Sequence, residues 1–170
     1  HDANIAISVL VDCSGSMSGY KLKVASQSAY LICNALEKAG RPSIVNCFDT
    51  QFYPIKSYKQ KSSPKLFADM SGKGGGGTSE GMALEKVINE FKKVEAGKKL
   101  IIVINDGCPD NSDRLKSVIA NCPKTINLFA IGIESEYVKE FYKDYIELKD
   151  INTLPDVLIK KFKQLAGHKY

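Results

Sequence analysis

Oxygen-bearing side chains gather at three places in this 170-residue sequence: Asp12, Ser14 and Ser16 at alternate positions, Thr78 behind a run of glycines, and Asp106 before Gly107. Two carboxylates and three hydroxyls make an all-oxygen donor set. Such a set suits a hard divalent cation, Mg²⁺ first, with Mn²⁺ or Ca²⁺ as alternatives. Zinc, which takes His and Cys ligands, does not fit. Mg²⁺ takes six ligands and commonly keeps waters, so a set dominated by neutral hydroxyls leaves positions open for a group from outside the chain. An acidic side chain of a partner is the natural candidate. The same residue types are also preferred helix N-caps, so Asp12, Ser14, Ser16, Thr78 and Ser79 each have a purely structural reading as acceptors for free backbone N–H groups.

What must position these residues is an alternation of strands and helices. The apolar run from Ile5 to Val11 reads as a strand buried on both faces, and it stops abruptly at Asp12. Residues 21–39 carry Leu22, Ala25, Ala29, Ile32, Leu36 and Ala39 at helical spacing and end at Gly40 and Pro42. A strand over 43–48 turns at Asp49-Thr50 into a second strand over 51–55, whose Pro54 is best tolerated at a sheet edge. Residues 56–77 read as polar and irregular, and Thr78-Ser79-Glu80 as the cap of a helix over 79–93. A buried strand over 98–104 ends in Asn105-Asp106-Gly107. Next come a helix over 113–120, a strand over 125–131, a helical turn over 136–141, a strand over 144–148 and a helix over 153–165.

This order predicts an α/β Rossmann-like fold: a doubly wound, mostly parallel six-stranded sheet with one antiparallel edge strand and helices on both faces. In the strand order 3-2-1-4-5-6, the strands ending in Asp12 and Asp106 are neighbours at the point where winding reverses, where open α/β sheets bind ligands. Both carboxylates would flank one crevice, with Ser14, Ser16 and Thr78 in reach of it.

Residues 1–170 read as a single domain, and an opening His1 in place of Met reads as a fragment of a longer protein. Hydrophobic residues at 44% and charged residues at 25% are ordinary for a globular protein, and no apolar run is long enough to cross a membrane. The net charge of +5 is spread over helix lysines such as Lys92, Lys93, Lys160, Lys161 and Lys163, a solvated surface and not a nucleic-acid patch. Five scattered cysteines, Cys13, Cys33, Cys47, Cys108 and Cys122, read as reduced thiols and place the chain in the cytoplasm. The run Gly72-Lys73-Gly74-Gly75-Gly76-Gly77 is not a phosphate-binding P-loop, because its lysine precedes the glycines instead of following them.

Val11-Asp12-Cys13-Ser14-Gly15-Ser16-Met17 resembles the DxSxS signature of von Willebrand factor type A domains. Gly76-Gly77-Thr78 is similar to that family's threonine loop and Asn105-Asp106-Gly107 to its T/S-D-G motif, so three motifs match in the right order across nearly the whole chain. The resemblance implies a metal-ion-dependent adhesion site. Ser14, Ser16 and Thr78 would be direct ligands, Asp12 and Asp106 would act directly or through water, and a partner's Glu or Asp would complete the shell. It further implies an adaptor of intracellular assemblies, and Ala35–Gly40 with Phe48 resembles the cobalt-chelatase-type branch that works with AAA+ ATPases.

No enzyme is expected: His1 and His168 stand at the termini and offer no placed general base. Two alternatives remain. One is a Mg²⁺-dependent phosphohydrolase using Asp12, whose DxDx[TV] signature wants a carboxylate where this chain has Ser14. The other is an extracellular adhesin of the same fold. Cys13 and Cys108 border the expected site, either as small residues chosen for size or as thiols whose oxidation distorts it.

Overall fold

The computed structural model describes residues 4–165 and 167. Its centre is a six-stranded sheet of order β3-β2-β1-β4-β5-β6, built from β1 (Ile5–Asp12), β2 (Ser43–Phe48), β3 (Phe52–Lys56), β4 (Lys98–Asn105), β5 (Ile126–Ile133) and β6 (Tyr145–Leu148). Every pairing is parallel except β2 with β3, so the antiparallel strand is the edge strand that carries Pro54. The expected fold and strand order are those observed. Both neighbours of β1 are crossover partners, and Val11 pairs with Cys47 on one side and Ile104 on the other.

Side chains alternate across the pleat, and that alternation divides the core. Ile7, Val9, Val11, Ile102 and Ile104 face a cluster closed by α1 (Tyr20–Lys38), α2 (Pro64–Ala68) and α6 (Leu154–Leu165). Leu10, Ile101 and Val103 face the other cluster, closed by α3 (Glu80–Lys92), α4 (Ser112–Ala120) and α5 (Val138–Phe141). Asp12 follows Leu10 by two residues, so its carboxylate belongs to the α3 side. Asp106 follows Ile104 by two and belongs to the α1 side.

Helix α1 buries Leu22, Ala25, Ala29, Ile32 and Leu36 as its spacing predicts, whereas Ala39 is exposed because the helix has already ended. Gly40 takes φ +72° and lets the Arg41 N–H return to the Leu36 carbonyl at 2.8 Å, a left-handed stop. Residues 56–77 are not irregular throughout. Ser63 accepts the Leu66 N–H, Pro64 opens α2, and a 3₁₀ turn over Asp69–Gly72 follows. Tyr30 of α1 meets Phe67 of α2 edge-on at 5.5 Å, burial that the short polar segment did not advertise. Among the described residues no helix is long and apolar enough to cross a membrane.

Candidate metal centre

β1 delivers Asp12 fully buried at its carboxyl end, and the chain then turns sharply. Asp12 Oδ1 accepts the Ser14 N–H at 2.7 Å, which bends Asp12-Cys13-Ser14 into an Asx turn and starts a 3₁₀ turn over Gly15–Met17. Ser14 and Ser16 therefore point the same way, and their hydroxyls lie 3.3 Å apart. The Ser16 hydroxyl donates to Asp106 Oδ1 at 2.6 Å, tying the β1 loop to the β4 loop. The structure thus brings Asp12, Ser14, Ser16 and Asp106 into one constellation.

Thr78 is held near it by the backbone of the glycine loop. The glycine loop docks on the β1 loop through Gly15 N–H to the Gly76 carbonyl at 3.0 Å and Gly75 N–H to the Cys13 carbonyl at 2.9 Å. Gly74 has φ +78°, and a Cβ there would lie 2.0 Å from the Cys13 carbonyl oxygen, so only glycine permits this approach. Thr78 itself is gripped by backbone: its N–H donates to Asp110 Oδ2 at 2.8 Å and its carbonyl accepts the Asp110 N–H at 2.8 Å. Among the described residues its hydroxyl has no hydrogen-bond partner, and it is not bonded to the other four.

The purely structural reading of these residues fails in a specific way. Ser14 and Ser79 occupy N-cap positions, yet neither side chain makes a cap hydrogen bond. Of the five candidates only Asp12 accepts a backbone N–H. Helix starts are capped elsewhere, by Ser63 for α2 and Asn111 for α4. The site hydroxyls are left for other work.

Asp12 Oδ2 is the telling atom. It is buried without any hydrogen-bond partner. A buried carboxylate oxygen left bare costs free energy unless a proton or a cation meets it. Burial raises the Asp12 pKa to about 6; Ser14 pulls it down through its hydroxyl and N–H, the negative charge of Asp106 adds to the rise, and the Asp106 backbone N–H facing the carboxylate offsets part of it. Hence a hard cation such as Mg²⁺, Mn²⁺ or Ca²⁺ fits this set, with the orphan oxygen of Asp12, the hydroxyls of Ser14 and Ser16, Asp106 and Thr78 as candidate donors. No three His, Cys, Asp or Glu side chains converge among the described residues, so hydroxyls have to complete the set.

Four participants escaped the sequence reading. Lys21, in the first turn of α1, sets its ammonium 3.1 Å from Asp106 Oδ2 and 3.1 Å from Glu134 Oε2. Partial burial lowers its pKa, but the two carboxylates outweigh this and leave it raised. A lysine at a helix N-terminus opposes the helix dipole, and that was the available signal. Asp49 clamps the glycine loop, accepting the Gly76 N–H at 3.2 Å while its carbonyl accepts the Ser79 N–H at 2.9 Å. Asp110 holds Thr78, as described. Glu80 lies buried behind the site, where its two oxygens accept from Asn105 Nδ2 at 2.8 Å and the Tyr142 hydroxyl at 2.7 Å.

Cys13 is buried, in thiol contact with Cys47, whose own pKa is raised by that contact and then by burial. Cys108 is exposed. His1 and His168 lie outside the described residues.

The family model for the von Willebrand factor type A domain matches residues 6–154. No curated protein matches the sequence significantly. Among solved structures, the chain is similar to a von Willebrand factor type A protein from Catenulispora acidiphila (19% identity, TM-score 0.79, covering 96% of this chain and 43% of that one). It is also similar to the ArnB paralog VWA2 from Sulfolobus acidocaldarius (22%, 0.71, 92% and 44%) and to the PilB minor pilin from Streptococcus sanguinis (14%, 0.78, 96% and 61%). The chain therefore spans less than two thirds of the length of each, and at these identities the likeness speaks to the fold.

Proposed function

The chain belongs to the von Willebrand factor type A domain family, and on that premise we propose that it is a non-enzymatic protein-interaction module whose divalent-cation site captures an acidic side chain of a partner. The observation that carries this reading is Asp12 Oδ2, a buried carboxylate oxygen with no partner beside two serine hydroxyls that cap nothing. Asp12, Ser14, Ser16, Thr78 and Asp106 would hold the ion. A hard dication there supplies an electrophilic position to which a carboxylate from outside the chain binds. The chain's own residues do the rest: the Asx turn at Asp12 aligns the two serines, and Asp49 and Asp110 fix the loop that carries Thr78.

Ser14, where an Asp-nucleophile phosphohydrolase needs a second carboxylate, argues for binding over turnover. The five cysteines, all unpaired, support a reducing and hence cytoplasmic setting, and an adaptor role in a multiprotein complex, with an AAA+ ATPase as one candidate partner.

Thermal unfolding in EDTA and then across Mg²⁺, Mn²⁺ and Ca²⁺ tests the reading. A cation at a hundredfold over its Kd stabilises by about 2.7 kcal/mol, which for a domain of this size raises Tm by roughly 5–10 °C. We expect that saturable shift in the wild type and none in Ser14→Ala or Asp106→Ala. Equal shifts in all three proteins would overturn it.

A further inference from the structure

We propose that Lys21 is an internal counter-ion of the metal centre, an ammonium seated on Asp106 that must yield this carboxylate, moving onto Glu134 alone, when a divalent cation binds. The inference rests on the metal-site reading above and says how that site sets its affinity.

Both seats are visible. Lys21 Nζ lies at the same 3.1 Å from Asp106 Oδ2 and from Glu134 Oε2, so one ammonium bridges an inner carboxylate and an outer one. The inner side chain is 1% exposed and the outer 57%. Asp106 is fully engaged: its other oxygen accepts the Ser16 hydroxyl, so a cation approaching this carboxylate meets either that hydroxyl or Lys21.

The outer seat is held in place by backbone. Glu134 follows β5 with φ +52°, the sole non-glycine residue with positive φ among the described residues. Its N–H is pinned to the Leu148 carbonyl at 2.7 Å. Such a conformation persists only where its surroundings enforce it. Here it places the carboxylate beside Lys21. The first turn of α1 is anchored as well, since the Tyr20 hydroxyl donates to Asn152 Oδ1.

Charge gives the device its sign. Without a dication, Lys21 offsets the negative charge of Asp106, which otherwise adds to that of Asp12. With a dication in the set, the ammonium becomes a like charge a few ångströms away, beside a carboxylate that is itself 1% exposed. Removing Lys21 therefore tightens the site. Removing Glu134 loosens it, because the displaced ammonium loses its second seat. A surface ion pair with no bearing on the site would predict no change in either variant.

The test is Mn²⁺ binding by the full chain, titrated by calorimetry and by water-proton relaxation. We expect Lys21→Gln to bind Mn²⁺ about tenfold more tightly than wild type, Lys21→Arg to bind it like wild type, and Glu134→Gln to bind it several-fold more weakly. The double variant should match Lys21→Gln, because Glu134 acts through Lys21. Circular dichroism and Tm in EDTA confirm that each variant is folded. Equal or weaker binding in Lys21→Gln beside measurable wild-type binding would overturn the counter-ion role and leave the metal site standing. No Mn²⁺ binding by any folded variant would overturn both.

Discussion

Asp12 and Glu80 are two buried carboxyl groups on the same side of the sheet, close enough for the charge of Asp12 to raise the pKa of Glu80. Burial is the first cause of the rise in both, to about 6 for Asp12 and about 7 for Glu80. They differ in what meets their oxygens. Glu80 has both satisfied, by Asn105 and Tyr142, which ties α3 to β4 and to the residue that ends α5, although Asn105 Oδ1 in turn has no partner among the described residues. Asp12 has one oxygen satisfied and one bare. A carboxylate with both oxygens satisfied specifies the packing of its own elements, whereas one with a bare oxygen leaves binding capacity at the rim of the sheet. The function we propose resides in that incompleteness.

The contrast breaks most visibly by deletion. Glu80→Ala strands the Asn105 amide and the Tyr142 hydroxyl in the core and opens a cavity, and it is expected to cost roughly 3–5 kcal/mol in urea unfolding. Asp12→Ala in EDTA removes an acceptor for one N–H but also a bare buried oxygen, so its cost should stay below about 1 kcal/mol. Equal costs would mean that Asp12 is as structural as Glu80.

A smaller effect lies in pH. Both folded pKa values stand above the ordinary 3.8 and 4.5, so the native state binds protons more tightly than the unfolded chain does. The stability each contributes is fully present below those ordinary values and is lost as pH rises through about 6 and about 7. In EDTA, urea unfolding should show Glu80→Gln gaining on wild type between pH 4 and 8 by about 2 kcal/mol, with Asp12→Asn gaining over the lower part of the window. Saturating Mg²⁺ should reverse the Asp12 limb alone, since binding requires the deprotonated carboxylate. A Mg²⁺ effect on both limbs would erase the distinction.

Smallest is Tyr142→Phe, expected to cost about 1 kcal/mol as one hydrogen bond is lost. Because that bond lowers the Glu80 pKa, the carbonyl-region infrared titration of Glu80 should shift upward in the variant. An unmoved midpoint would show that the network is looser than its geometry.

Legibility followed the range of the interactions. Strand β1, the stop of α1 at Gly40 and the apolar faces of α1 and α3 could be read because periodicity and stop residues are local signals. Helix α2 was missed, although Ser63-Pro64 is a start signal, because its five residues lie in polar surroundings and owe their helix to Phe67 packing on Tyr30. Ser79 takes the N-cap position expected of it but its side chain makes no cap bond, and the backbone there is held instead by Asp49 and Asp110, far away in sequence.

By itself the sequence determined the order of elements, the strand neighbours of β1 and the presence of oxygen donors at strand ends. Alternation of apolar runs and turns leaves one sensible winding of a parallel sheet. Only the tertiary structure decided which of those donors stay free, because that depends on what the rest of the fold brings to each atom. It satisfied both oxygens of Glu80 with Asn105 and Tyr142, left Asp12 Oδ2 bare, and set Lys21 between Asp106 and Glu134. Each of these contacts joins residues of separate elements or burial from both faces of the sheet, and no local pattern encodes them.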